Sequence, residues 1–195
     1  MSRTANLLGA LSLVAADRVR DATGAEPTWS AALVTLQTMT DGGSIDELRR
    51  VLGLSHSGGG RVVKALSRAE LVELRRDPDD GRAVQVRLTQ QGAATATRIR
   101  AARLAALDSL LDGLEPAARD LLDALLAQAL AAATGDRDDA RHICRLCDPG
   151  VCGHPERCPV TRAADRVTNP SICSTGARPA PARTMAAATS RERAR

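Results

Sequence analysis

The chain has 195 residues, 44% of them apolar, yet only one Trp and no Phe or Tyr. Ala, Leu and Val must fill any core, which favours helix-on-helix packing over aromatic anchors. Its 27 basic against 23 acidic residues leave a net charge of +4, which permits a nucleic-acid partner without requiring one. No stretch approaches the roughly 20 apolar residues of a membrane span. Asp17, Arg18 and Arg20 interrupt what could otherwise be a secretory signal. The expectation is a cytoplasmic chain with no membrane partner, in a compartment where thiols stay reduced.

A first helix is expected over about Ala5–Ala22, where Leu7, Leu8, Leu11, Val14, Ala15 and Val19 recur at helical spacing. Thr28 is the expected cap of a second helix running through Trp29, Leu33, Leu36 and Met39, which Asp41-Gly42-Gly43 ends. Ser44, with Glu47 three residues on, has the form of a capping box for a third helix that Gly53 closes. A fourth covers about His56–Ala69 with Val62, Val63 and Leu66 inward. The period then changes. LVELRR and AVQVRLT alternate apolar and polar, and DPDDG between them is turn chemistry, so a β-hairpin is expected. A long Ala/Leu-rich helix spans Thr89–Leu111, and Pro116 suits the first turn of another reaching about Ala132. From Ser174 onward Ala, Pro, Thr and Arg dominate and disorder is expected.

These elements make a mainly α fold with a small β-hairpin: a winged helix-turn-helix with long N- and C-terminal dimerisation helices. From about Leu7 to Ala132 the chain resembles the MarR family of bacterial transcription regulators. The segment SIDELRRVLGLSHSGGGRVVKALSRAELVELRRDPDDGRAVQVRLTQQG carries the resemblance most specifically. Within it lie the helix-turn-helix, then Asp80 and Arg82 before a strand, then Leu88, Thr89 and Gly92 in an L-T-x-x-G pattern. The resemblance implies a regulator, of the repressor kind, that binds a pseudo-palindromic double-stranded DNA operator as a homodimer. It also implies a small-molecule or redox effector that sequence does not identify. The expected domains are residues 1–133 as the dimer-forming winged helix (DNA-binding part about 44–92), 141–173 as a metal-binding segment, and 174–195 as the tail.

Two features depart from that pattern. Glu70 stands where the family usually has Gly at the end of the recognition helix, so a differently built cap is expected, because a left-handed non-Gly residue costs roughly 1 kcal/mol. Gly58-Gly59-Gly60 lies inside the recognition helix, where each Gly costs roughly 1 kcal/mol relative to Ala. A loose first turn is the expectation, with close approach to a phosphate or base edge as the alternative.

Polar residues near the N-terminus of a recognition helix read the major groove. Ser55, His56, Ser57 and Arg61 fall there. Arg61 could reach a guanine edge with two hydrogen bonds or clamp a phosphate. His56 could touch DNA or simply cap the helix. Arg75 and Arg76 are phosphate candidates, or a solvated strand face. The resemblance implies that Arg82 enters the minor groove, and a salt bridge to Asp79 or Asp80 is its other reading. Two half-sites about 34 Å apart would then suit a dimer.

Behind this domain lie Cys144, Cys147, Cys152 and Cys158, spaced C-x2-C-x4-C-x5-C. A C-x2-C turn delivers two thiolates from one knuckle, and four soft ligands suit tetrahedral Zn(II). Arg141, Arg145 and Arg157 could offset the excess negative charge, and His142 or His154 could replace a Cys. An iron–sulfur cluster also takes four Cys, and Pro159 after Cys158 fits it, although the ferredoxin spacing is absent. A metal-free dithiol switch at Cys144 and Cys147 is a third reading, idle thiols a fourth, and isolated Cys173 reads as a bystander. No phosphate loop, G-x-S-x-G or H-E-x-x-H occurs, so an enzyme is not expected. An electron carrier without DNA binding is the reading from another class.

Overall fold

A computed structural model describes residues 2–40, 42–76 and 84–168. The wing turn, with Asp79, Asp80 and Arg82, lies outside the described residues, as do Cys173 and the tail. The elements are α1 (Arg3–Thr23), α2 (Pro27–Thr38), α3 (Ile45–Leu52), α4 (His56–Arg68), β1 (Val72–Arg76), β2 (Val84–Leu88), α5 (Gln90–Asp108) with a 3-10 turn at Ser109–Leu111, and α6 (Pro116–Ala133). Three short helices follow: α7 (Arg137–Ile143), α8 (Pro149–Cys152) and α9 (Pro159–Thr168).

Local chemistry sets the boundaries. Ser44, Ser55 and Thr89 each accept a backbone N–H through the side-chain oxygen at the head of α3, α4 and α5. Helix α2 corrects an expectation: Glu26, not Thr28, caps it, by accepting from the Trp29 amide at 2.8 Å. Pro27 explains the shift, since its fixed φ suits the first helical position and places Thr28 inside the first turn. Glu70 is a second correction. It adopts φ +58° itself, so the cap keeps the left-handed geometry without glycine. The Leu71 amide then reaches back to the Leu66 carbonyl at 3.0 Å.

β1 and β2 pair antiparallel, with Val72 opposite Leu88 and Leu74 opposite Val86. The core forms where α2, α3, α4, β1, β2 and α5 meet. Leu33, Val34, Leu36, Leu48, Val63, Leu66, Val86 and Ile99 are buried there. Gly92 sits against β1, where a Cβ would run into the Leu71 carbonyl oxygen, so that contact requires glycine.

The arms are different. Leu8, Leu13 and Leu121 are 61%, 69% and 62% exposed, and Leu125, Leu126 and Leu130 are also open. α1 packs on α5, whereas the main partner of α6 among the described elements is α9. The cysteine segment, expected as a separate unit, packs on the winged helix: α7 lies against α3, and α9 joins α7 to α6. Leu146 reaches the main core.

Candidate nucleic-acid interface and thiol site

The recognition helix α4 has one face in the core and one in solvent. Val63 and Leu66 are buried, while Ser55, His56, Ser57 and Arg61 are exposed, as the sequence reading requires of base-reading residues. Lys64 and Arg68, which that reading did not select, are also exposed. At i+3 and i+7 from Arg61 they continue one basic stripe, and helical spacing alone could have found them. His56 stands near Asp46, with Nδ1 and Oδ1 4.0 Å apart. Asp46 mainly serves Arg49, at 2.6 Å. That hydrogen bond, ahead of the other nearby cations, holds its carboxyl below the usual range. Arg75 pairs with Glu73 at 2.7 Å while Arg76 is exposed.

The glycine run has a packing explanation that neither sequence reading foresaw. Gly59 is buried, and a Cβ there would stand 2.7 Å from Cβ of Arg49. The close crossing of α3 and α4 therefore needs a residue without a side chain. A Cβ on Gly60 would meet nothing within 4 Å among the described residues.

The four thiols line one cavity of about 420 Å³, together with His154 and Thr161. They lie at element boundaries. Cys144 ends α7, Cys152 ends α8 and Cys158 directly precedes α9. They form two pairs. Cys152 donates to Cys158 across 3.7 Å, and Cys144 and Cys147 are coupled electrostatically as the second pair. Among the described residues, no group of three or more His, Cys, Asp or Glu converges as ligands of one ion.

The electrostatics lower one thiol of each pair and raise the other. The hydrogen bond from Cys144 draws the Cys147 thiol down against the effect of burial, with Arg103 and Arg145 assisting. Cys144 is pushed up by the same bond and by its own burial. Burial raises Cys158, but the Thr161 hydroxyl and amide, Cys152 and the Val160 amide together outweigh it and lower the thiol. Cys152 rises by burial and by its bond to Cys158. Arg103 comes from α5, outside the window in which sequence reasoning sought compensating cations. His142 faces away from the thiols, with Nδ1 2.8 Å from the Val51 carbonyl, whereas His154 lines the cavity and bonds Thr161 at 2.9 Å.

A second cavity of about 340 Å³ opens between α1, α2 and α5, lined in part by Val19, Arg20, Ser30, Ile99, Arg103 and Leu146. Ser30 Oγ is buried there without a hydrogen-bond partner among the described residues.

A helix-turn-helix with an exposed basic recognition face, flanked by a β-hairpin and long apolar helices, defines a winged-helix DNA-binding protein. Residues 23–83 match the MarR family model, and the chain carries a MarR-family domain there. Solved structures share the fold. A probable transcriptional regulator from Pseudomonas aeruginosa is 27% identical, with a TM-score of 0.53 over 66% of this chain and 97% of that one. CouR from Rhodococcus jostii RHA1, bound to p-coumaroyl-CoA, is 21% identical, with a TM-score of 0.53 over 66% of this chain and 92% of that one. A mutant of S. aureus MepR bound to an oligodeoxyribonucleotide is 16% identical, with a TM-score of 0.51 over 68% and 99%. No curated protein matches the chain. The family match ends before the cysteine segment.

Proposed function

We propose that the chain is a cytoplasmic, sequence-specific DNA-binding repressor that works as a homodimer. The observation that supports this best is the exposed stripe Ser57, Arg61, Lys64 and Arg68 on a helix whose opposite face is fixed in the core. The exposed leucines of α1 and α6 supply the apolar area that a dimer would cover. Binding to the DNA upstream of its own gene should weaken steeply with salt, and sedimentation should give a dimer. A monomer without salt-dependent binding rejects the reading. The cavity beside Arg20, Arg103 and Ser30 suits an anionic, partly apolar effector, consistent with the acyl-CoA bound by CouR.

For the thiols we propose a metal centre held by Cys144, Cys147, Cys152 and Cys158, with Zn(II) as occupant. Tetrahedral Zn–S bonds of about 2.3 Å place neighbouring sulfurs about 3.8 Å apart, close to the 3.7 Å between Cys152 and Cys158. The second pair would close onto the same ion. A second reading, a two-iron cluster with one iron per pair, is favoured by the paired arrangement itself. Metal analysis and a visible spectrum of anaerobically purified protein separate them: one colourless zinc per chain, or iron with sulfide and colour. Metal content near zero rejects both readings.

A further inference from the structure

We propose that the thiol segment is a metal-dependent strut between the helix-turn-helix and the dimerisation arm, so that occupancy of the thiol centre sets operator affinity. This rests on the metal centre and the dimer proposed above and assigns their regulation.

The path can be followed residue by residue. At its DNA-binding end, His142 of α7 bonds the carbonyl of Val51 at 2.8 Å. Val51 lies in the last turn of α3, where carbonyls lack helical partners. The Gly53 amide takes the Arg49 and Arg50 carbonyls, and His142 takes Val51. Its ring also abuts Gly53, where a Cβ would stand 3.2 Å from Cε1. Gly53 is the left-handed hinge between α3 and the recognition helix. His142 therefore supports the turn that aims α4.

At the other end, α9 packs on α6, which among the described elements has no other comparable partner. Between these ends stand the thiols. Cys144 terminates the helix that touches α3, and Cys158 opens the helix that touches α6. The apolar cluster between them is small: Ala140, Cys158, Val160 and Ala164, with Ile143, Cys144 and Cys152 at its edge. Two of the seven are alanines and three are the cysteines themselves, so little aliphatic area holds α7 to α9. The Arg137–Asp165 ion pair that also joins them is exposed and worth little. Metal–thiolate bonds across the cavity would fix the two helices rigidly. A dimeric reader must hold two recognition helices at one spacing, and that spacing depends on how each helix-turn-helix is attached to its arm.

The test uses the full chain, purified anaerobically, with a duplex covering the region upstream of its own gene. Metal is measured, removed with a chelator and restored as Zn(II), and operator affinity is read at each stage. We expect affinity to fall about tenfold on removal and return on reloading, within the usual range of site-to-site coupling. By reciprocity the duplex should make the metal about tenfold harder to strip. His142→Ala should keep its metal, bind DNA like the stripped protein and no longer respond to stripping. Circular dichroism checks that the variant is folded, and Arg166→Ala, at an exposed position late in α9, serves as a fully responsive control. Protein that holds metal but binds the duplex equally with and without it overturns the strut alone. So does a His142→Ala variant that responds in full. Protein that binds DNA but never holds metal overturns the thiol centre, and the strut with it.

Discussion

The winged helix and the cysteine segment are held by different means. The first buries aliphatic side chains from six elements into one cluster, with Leu33, Leu36, Leu48 and Leu66 no more than 1% exposed. The second buries only Ala140, Val160 and Ala164 around Cys158, and its remaining contacts are borrowed. Thr35 Oγ1 donates to the Arg145 carbonyl at 3.4 Å, Arg100 pairs with Asp148 at 2.5 Å, and Leu146 occupies the neighbouring core. A domain with its own core tolerates loss of a docking contact. A segment of this kind does not, and its order depends on what its thiols hold and where it is docked.

The difference is broken most severely from the core side. Leu66 is fully buried, and Leu66→Ala removes aliphatic volume that surrounding helices cannot reclaim. It should cost about 2–5 kcal/mol, seen as a lower denaturant midpoint for the whole chain. Val160→Ala, in the small cluster, should cost about 1 kcal/mol, and confine its effect to the segment. Equal global losses from both would show that the two regions form one cooperative unit.

A smaller effect separates the two faces of α4. Arg61→Ala should weaken operator binding by about 1–3 kcal/mol with an unchanged melting curve, and Arg82→Ala likewise if it enters the minor groove. Lys64→Ala should weaken binding evenly across sequences and lower the salt slope by about one. A shifted melting curve would instead assign Arg61 to the fold.

Stripping the metal sharpens the comparison without altering a side chain. Hydrogen exchange in α7 and α9 should speed up at least about tenfold, corresponding to about 1.4 kcal/mol, while α2 to α5 stay protected. Lower pH should act in the same direction, because protons compete with metal for thiolates. Uniform acceleration would mean that the winged helix also leans on the thiols.

What could be read from sequence follows the range of the forces involved. Caps act over three residues, so Ser44 was legible, whereas Ser55 and Thr89, which cap α4 and α5, were read as a DNA contact and a helical residue. Strand alternation acts over two, so the hairpin was legible too. The thiol spacing was visible, but not that Cys144, Cys152 and Cys158 mark helix ends, because Pro, Gly and Cys dominate the segment and mask helices of four to ten residues. The docking of His142 on Val51 spans 91 positions, and nothing local announces it. Gly59 misled for the same reason: its cause is Arg49 on another helix. Glu70 misled differently, since a propensity was taken to forbid what the surrounding hydrogen bonds enforce.

That last residue carries the smallest and most exposed prediction. Glu70 holds φ +58°, a conformation that costs a non-glycine residue roughly 1–2 kcal/mol. Its environment imposes that conformation: its amide bonds the Ser67 carbonyl at 3.1 Å, and its carbonyl accepts from Thr89 Oγ1 at 2.7 Å. Its side chain is exposed and enters no ion pair among the described residues. Glu70→Gly removes the strain, while the freer unfolded chain offsets about 0.4–1 kcal/mol of the gain. A net stabilisation of about 0.5–1 kcal/mol should remain, read as a higher denaturant midpoint at unchanged slope. Because the cap lies in the core-held region, metal content and exchange in α7 and α9 should not move. A loss of stability would show that the Glu70 side chain contributes more than its backbone strain costs.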